Sequence, residues 1–131
     1  MFTDSYLAGF FDGEGCVYIG KRGKNFRVGV RVHNMGLRPL QAFKERFGGY
    51  VCTCTSGVHM WELVGLTRLP EFIKIMGPLL VVKKEQLAVL EEYVDMGAVR
   101  RGGRMTSSFR ADRVRLMMEC SALKGSAGRL N

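Results

Sequence analysis

Apolar positions along this chain follow two alternating periods, one helical and one strand-like, with glycines at most of the changes. The first helical block is Tyr6-Leu7-Ala8-Gly9-Phe10-Phe11-Asp12-Gly13-Glu14-Gly15. Leu7, Phe10 and Phe11 fall on one helical face and enter a core. Thr3, Asp4 and Ser5 supply caps at its start, and Gly15 is placed to end it. Gly9 and Gly13 lie four apart on another face, where a second helix can approach closely. A strand-like run, Cys16-Val17-Tyr18-Ile19, comes next, then a turn at Gly23-Lys24-Asn25. From Phe26 onward the alternation is strict. Phe26, Val28, Val30 and Val32 point one way, and Arg27, Gly29, Arg31 and His33 the other. This predicts a hairpin with one face on helices and one wet, cationic face, which Tyr18, Gly20 and Arg22 extend.

The chain then repeats the scheme. Pro39 suits the first turn of a helix in which Leu40, Phe43 and Phe47 follow at helical spacing, and Gly48-Gly49 ends it. Residues 50–55 and 59–66 read as a second hairpin around Ser56-Gly57. Residues 67–76 form a short helix stopped by Gly77-Pro78. Residues 83–96 form another, with Leu87, Leu90, Tyr93 and Val94 inward and Glu91, Glu92 and Asp95 toward solvent. After a basic linker, Arg100-Arg101-Gly102-Gly103-Arg104, a last helix starts at Ser107 or Ser108. It runs through Val114, Leu116, Met117 and Leu123 and carries Arg110, Arg113 and Arg115. Helix, hairpin, helix, hairpin, helix and extra helices make an α+β pattern. Residues 1–97 are expected as the core domain, and residues 98–131 as a basic linker and C-terminal helix.

Composition adds a partner. At 131 residues the chain suits one domain, and 47% apolar with 24% charged residues is ordinary for a globular protein. A net charge of +8 is not, and it points to polyanions, with nucleic acid the first candidate. Eight Arg or Lys stand against two acids from Gly97 onward, which suits either a DNA clamp or a solvated basic helix. No apolar run is long enough to span a membrane, and the first is broken by Asp12 and Glu14. Four cysteines do not suggest a disulfide scaffold, so a reduced, intracellular protein is expected, in cytoplasm, nucleoid or organelle, and not a secreted one. Cys52 and Cys54 with His59 lack a usual zinc spacing. The face carrying His59 and Trp61 is expected as nucleic-acid surface instead.

The string Leu7-Ala8-Gly9-Phe10-Phe11-Asp12-Gly13-Glu14-Gly15 resembles the signature of the LAGLIDADG homing endonucleases. The acid at its eighth place, here Glu14, is that family's metal-binding catalytic residue; Asp is frequent there and Glu a common variant. The element order from Asp4 to about Met96 matches the family's αββαββα fold. There, two hairpins form a curved antiparallel sheet lying in the DNA major groove. The resemblance therefore implies double-stranded DNA as partner, read by Tyr18, Arg22, Lys24, Arg27, Arg31, His33, His59 and Trp61. Arginine reaches guanine edges in bidentate fashion, and Arg and Lys contact phosphates. A merely solvated face has the same pattern.

Only one copy of the signature is present, which in this family implies a homodimer. Tyr6, Gly9 and Gly13 are then the dimer interface, and the two Glu14 carboxylates lie side by side at the two-fold axis. The implied cofactor is Mg²⁺ or Mn²⁺, held by Glu14 and the Gly13 carbonyl with DNA phosphates. Three further positions carry over by resemblance. Lys83 matches the lysine that stabilises charge on the phosphate, with Lys84 the alternative one residue on. Asn34 matches a polar residue that orders solvent, and Arg38 a basic residue just beyond. Each also fits a capping or surface role. The implied activity is site-specific, staggered double-strand cleavage at a long pseudo-palindromic site. Competing readings are a non-cleaving intron maturase or DNA-binding regulator on the same fold, and a basic RNA-binding domain.

Overall fold

The computed structural model describes residues 2–23, 25–99 and 107–130; Lys24 and the Arg100-to-Arg104 linker lie outside them. The elements are α1 (Asp4–Glu14), β1 (Gly15–Arg22), β2 (Asn25–Asn34), α2 (Leu37–Phe47), β3 (Tyr50–Thr53), β4 (His59–Val64), α3 (Leu69–Met76), α4 (Lys84–Val99) and α5 (Ser107–Leu130). The four strands form one antiparallel sheet in the order β1-β2-β4-β3. Two hairpins thus meet through their inner strands, as the α+β expectation required.

The Thr3 hydroxyl caps α1 by accepting from the Tyr6 amide at 3.1 Å. Leu7, Ala8 and Phe11 are buried beneath the helix. Gly15 closes it, donating its amide to the Phe11 carbonyl, and the chain enters β1 without a linker. Space decides that glycine: a Cβ there would lie 2.5 Å from the Phe11 ring. The helix end is therefore locked directly to the sheet.

The core lies between one sheet face and the helices. Val17, Ile19, Val28, Val30, Val32 and Leu63 supply the sheet side. An aromatic cluster supplies much of the rest: Phe43 stacks on Trp61 at 4.8 Å, Phe11 meets Phe72 edge-on at 5.3 Å, and Phe47 meets Phe72 at 4.9 Å. This corrects one expectation. Trp61 is fully buried, and its Nε1 donates to the Gly48 carbonyl at 2.8 Å. Register explains the error, because Trp61 lies opposite Val32 and Val51 on the apolar side. Gly49 has φ +85°, and a Cβ there would collide with the Glu62 carbonyl, so the glycine pair lets α2 turn tightly beside the indole.

α5 packs against α4 and β1, burying Leu116 and Cys120 in the same core. The Cys120 thiol donates to the Val17 carbonyl at 3.5 Å. The Arg113 guanidinium lies over the Phe109 and Tyr93 rings at 4.5 and 5.0 Å, and Arg115 pairs with Glu92 and Glu119. These arginines are thus engaged in docking the helix. No helix among the described residues is long and apolar enough to cross a membrane, and all four cysteines are free thiols.

Candidate nucleic-acid interface and metal centre

The ladder fixes the open face of the sheet. Tyr18 lies opposite Gly29, Gly20 opposite Arg27, and Arg31 opposite Glu62, which itself lies opposite Tyr50. With Arg22, His33, Cys52 and Met60 these residues share the side away from the core. The sequence placed the first hairpin correctly. On the second, His59 has the parity of Trp61 and not of Cys52. It sits at the start of β4, its Nδ1 2.9 Å from the Thr53 hydroxyl. Arg22, His33 and Lys21 are exposed.

Glu62 occupies the centre of this face, and sequence reading missed it. Although an acid on a cationic surface, it is 4% exposed. Its carboxylate accepts from the Tyr18 hydroxyl at 2.6 Å, from Arg27 Nη2 at 3.1 Å and from the Tyr50 hydroxyl. Gly29 makes this possible: a Cβ there would lie 2.7 Å from the Tyr18 hydroxyl and 2.6 Å from the Leu63 carbonyl. Without a side chain at Gly29, the phenol crosses β2 to reach β4. Tyr18 is consequently 7% exposed, so the expected exposed DNA-contacting tyrosine is instead a buried support. The one sequence signal was the placement of Glu62 two residues from Met60 on the wet parity, which the misassigned Trp61 obscured.

Burial pushes the Glu62 carboxyl up, but the hydrogen bonds from Tyr18, Tyr50 and Arg27 and the charge on Arg27 outweigh it, leaving it below the ordinary range. Burial pushes the Tyr18 phenol well up, and the bond to Glu62 and its charge add to this. The signs are opposite. The Glu62 contribution to stability is present above the ordinary glutamate range and is lost as pH falls through its lowered value. The Tyr18 contribution is present below the ordinary tyrosine range and is lost as pH rises through its raised value. Glu62→Gln is therefore expected to flatten the acid limb of the melting-temperature profile below about pH 4.3. Thermal melts of both proteins across that range check this, and identical acid limbs would contradict it.

The catalytic candidates gather at one end of the sheet. Glu14 is exposed at the last position of α1. Because Gly15 lies opposite Val32, Glu14 stands where β2 runs out through His33 and Asn34. The Asn34 Oδ1 accepts from the Gly36 amide at 2.7 Å, which shapes the entry to α2 and leaves the side-chain NH₂ available. Arg38 is exposed in the first turn of α2.

Asp12, also missed, ties α4 to this end. Its carboxylate accepts from the amides of Val81, Val82 and Lys83 at 2.9, 3.1 and 3.0 Å. In return, Lys83 Nζ donates to the Asp12 carbonyl at 2.6 Å. The ammonium that reaches α1 is thus that of Lys83, two residues from Glu14. The electrostatic placement is unusual for both partners. An acid near the end of its own helix, and lysines at the start of the next, each oppose the helix dipole. Asp12 instead anchors the segment that leads into α4, accepting from three consecutive amides just before the helix begins. Asp12→Ala is expected to lower stability by about 1–3 kcal/mol, and urea unfolding measures it; an unchanged midpoint would show that the anchor carries no weight.

The donors beside Glu14 suit a hard cation. They are oxygens: the Glu14 carboxylate and the Gly13 carbonyl, at the negative end of the α1 dipole. Among the described residues no group of three His, Cys, Asp or Glu side chains forms a metal cage. Further back along α1, in its first turn, Tyr6 is 47% exposed, and nothing lies within 4 Å of a Cβ placed on Gly9 or Gly13.

No protein-family model and no curated protein matches the chain. Solved structures do. The homing endonuclease I-CvuI, in complex with an I-CreI target in the presence of Mg with the DNA uncleaved, superposes with a TM-score of 0.80 at 22% identity over 92% of this chain and 80% of that one. The chain has the LAGLIDADG homing endonuclease fold. I-TnaI, another homing endonuclease, matches over the whole of both chains at 20% identity and a TM-score of 0.78. The LAGLIDADG meganuclease I-AabMI, bound to uncleaved DNA, matches 88% of this chain but 44% of its own length, at 16% identity and a TM-score of 0.77. In this fold α1 carries the Leu7–Gly15 string, and its glycine-closed end carries Glu14.

Proposed function

We propose that the chain is a metal-dependent, site-specific DNA endonuclease of the homing type that acts as a homodimer. The observation that carries this reading is the tie between two helix ends: Asp12 holds Lys83 against the end of α1, beside an exposed Glu14. Lys83 also serves the fold by satisfying the Asp12 carbonyl, but among the described residues Glu14 has no hydrogen bond or ion pair that would give it a structural role. The DNA-bound neighbours on the same fold, I-CvuI and I-AabMI, support duplex DNA as the partner.

Glu14 and the Gly13 carbonyl would hold a divalent cation, Mg²⁺ or Mn²⁺, which when bound supplies an activated water and offsets charge on the phosphate. Lys83 brings a fixed cation to the phosphate as negative charge develops. Asn34 orders solvent with its free amide, and Arg38 holds the DNA backbone. One chain contributes a single carboxylate at this place, so a second copy completes the centre. The exposed Tyr6, Gly9 and Gly13 stripe admits that copy, and the match to half of I-AabMI fits two such units per functional molecule.

The test is a plasmid bearing the uninterrupted version of the locus that flanks this gene. Linear product with Mg²⁺, and intact supercoils with chelator, are expected. Retention of the plasmid without any break would favour the maturase or regulator reading instead.

A further inference from the structure

Two arginines stand at the centre of the open sheet face, and their surroundings differ. Glu62 is directly opposite Arg31 in the ladder, yet its carboxylate does not go to Arg31. It goes to Arg27, Tyr18 and Tyr50. Arg31 instead lies over the Tyr18 ring, its Cζ 4.2 Å from the ring centroid, and makes no ion pair among the described residues. Its Nε is buried without a partner, so the outer edge of the guanidinium is the part left for a ligand. The Tyr18 ring beneath it is pinned by the bond to Glu62. Lys21 and Arg22 flank the concavity these residues line, keeping it cationic.

We infer that Glu62 divides the two arginines by role: Arg27 is neutralised as a structural partner, and Arg31 is the specificity-determining residue that reads one guanine in each half-site. This rests on the DNA reading of the open face. A guanidinium held over a fixed aromatic ring has fewer rotamers open to it, which suits bidentate contact with the O6 and N7 of guanine. Pre-ordering also lowers the cost of immobilising a long side chain on binding. Arg27 is the cation paired with a buried carboxylate, and turning it toward a base would leave the Glu62 charge with the two phenol hydroxyls alone. Tyr18 and Glu62 are positioning residues that act through Arg31.

The experiment is selection of retained duplexes from a random DNA pool with Ca²⁺, using wild type, Arg31→Lys, Arg27→Lys and Tyr18→Phe. Arg31→Lys is expected to lose about tenfold discrimination for guanine at one position of each half-site, other positions being unchanged. Tyr18→Phe keeps the ring but not the bond to Glu62, and is expected to weaken preference at that same position. Arg27→Lys is expected to leave the selected sequence as it is. A wild-type sequence retained by Arg31→Lys, or a base preference lost with Arg27→Lys, would overturn the assignment while leaving the DNA reading intact. Failure of wild type to retain any duplex would overturn both.

Discussion

Glu14→Gln is expected to abolish cleavage while DNA affinity stays within about twofold. The substitution keeps the size of the side chain and removes only its charge. Glu14 is exposed, and no hydrogen bond or ion pair to it is among those found in the described residues, so the fold loses nothing. What is lost is the acidic oxygen donor at the negative end of α1. In metal sites the outer-shell partners alone are worth about 10–100-fold, so loss of a charged ligand should slow cutting by more than about 100-fold. Single-turnover cleavage of a labelled duplex, with retention measured in Ca²⁺, separates the two effects. Persistent cutting would remove Glu14 from the metal centre. Loss of binding alongside cutting would mean that the carboxylate organises the protein and not the chemistry.

Trp61→Ala is expected to cost about 3–5 kcal/mol of stability. That is a large part of the roughly 5–15 kcal/mol typical of a single domain. The indole is fully buried, stacks on Phe43, and donates to the Gly48 carbonyl, so truncation opens a cavity and orphans an acceptor at once. Urea unfolding followed by circular dichroism gives the number. A variant of wild-type stability with weakened DNA binding would return Trp61 to the DNA surface, where its sequence context had placed it.

These two residues mark how far the sequence can be read. The helices, both hairpins and the buried faces of β1 and β2 were legible, because strict alternation from Phe26 to His33 fixes parity and glycines mark the ends. The signature string singled out Glu14, which the structure places exposed at the end of α1. The second hairpin was harder. Its strands are short, and Tyr50-Val51-Cys52-Thr53 against His59-Met60-Trp61-Glu62 has no clean alternation of apolar and charged residues. Taking His59 and Trp61 as outward put Glu62 on the wrong side and hid the polar network that organises the open face. Burial of an acid at a surface otherwise basic depends on Tyr18, Tyr50 and Arg27 converging from three other strands, which residue order alone does not reveal. Asp12 was lost for a similar reason. Its partners are some seventy positions away, at residues 81–83, and only the fold brings the connection between α3 and α4 to the end of α1. Lys83 was legible through the resemblance, but the reason it points at α1 was not.

The most direct measurement is end-sequencing of every break made in a DNA library, with Mg²⁺ and with chelator. Two Glu14 centres on one symmetric dimer predict paired breaks on opposite strands, with a constant stagger, inside one long and roughly two-fold-symmetric sequence, and none with chelator. Unpaired nicks, breaks scattered over unrelated sequences, or breaks that persist with chelator would contradict the account.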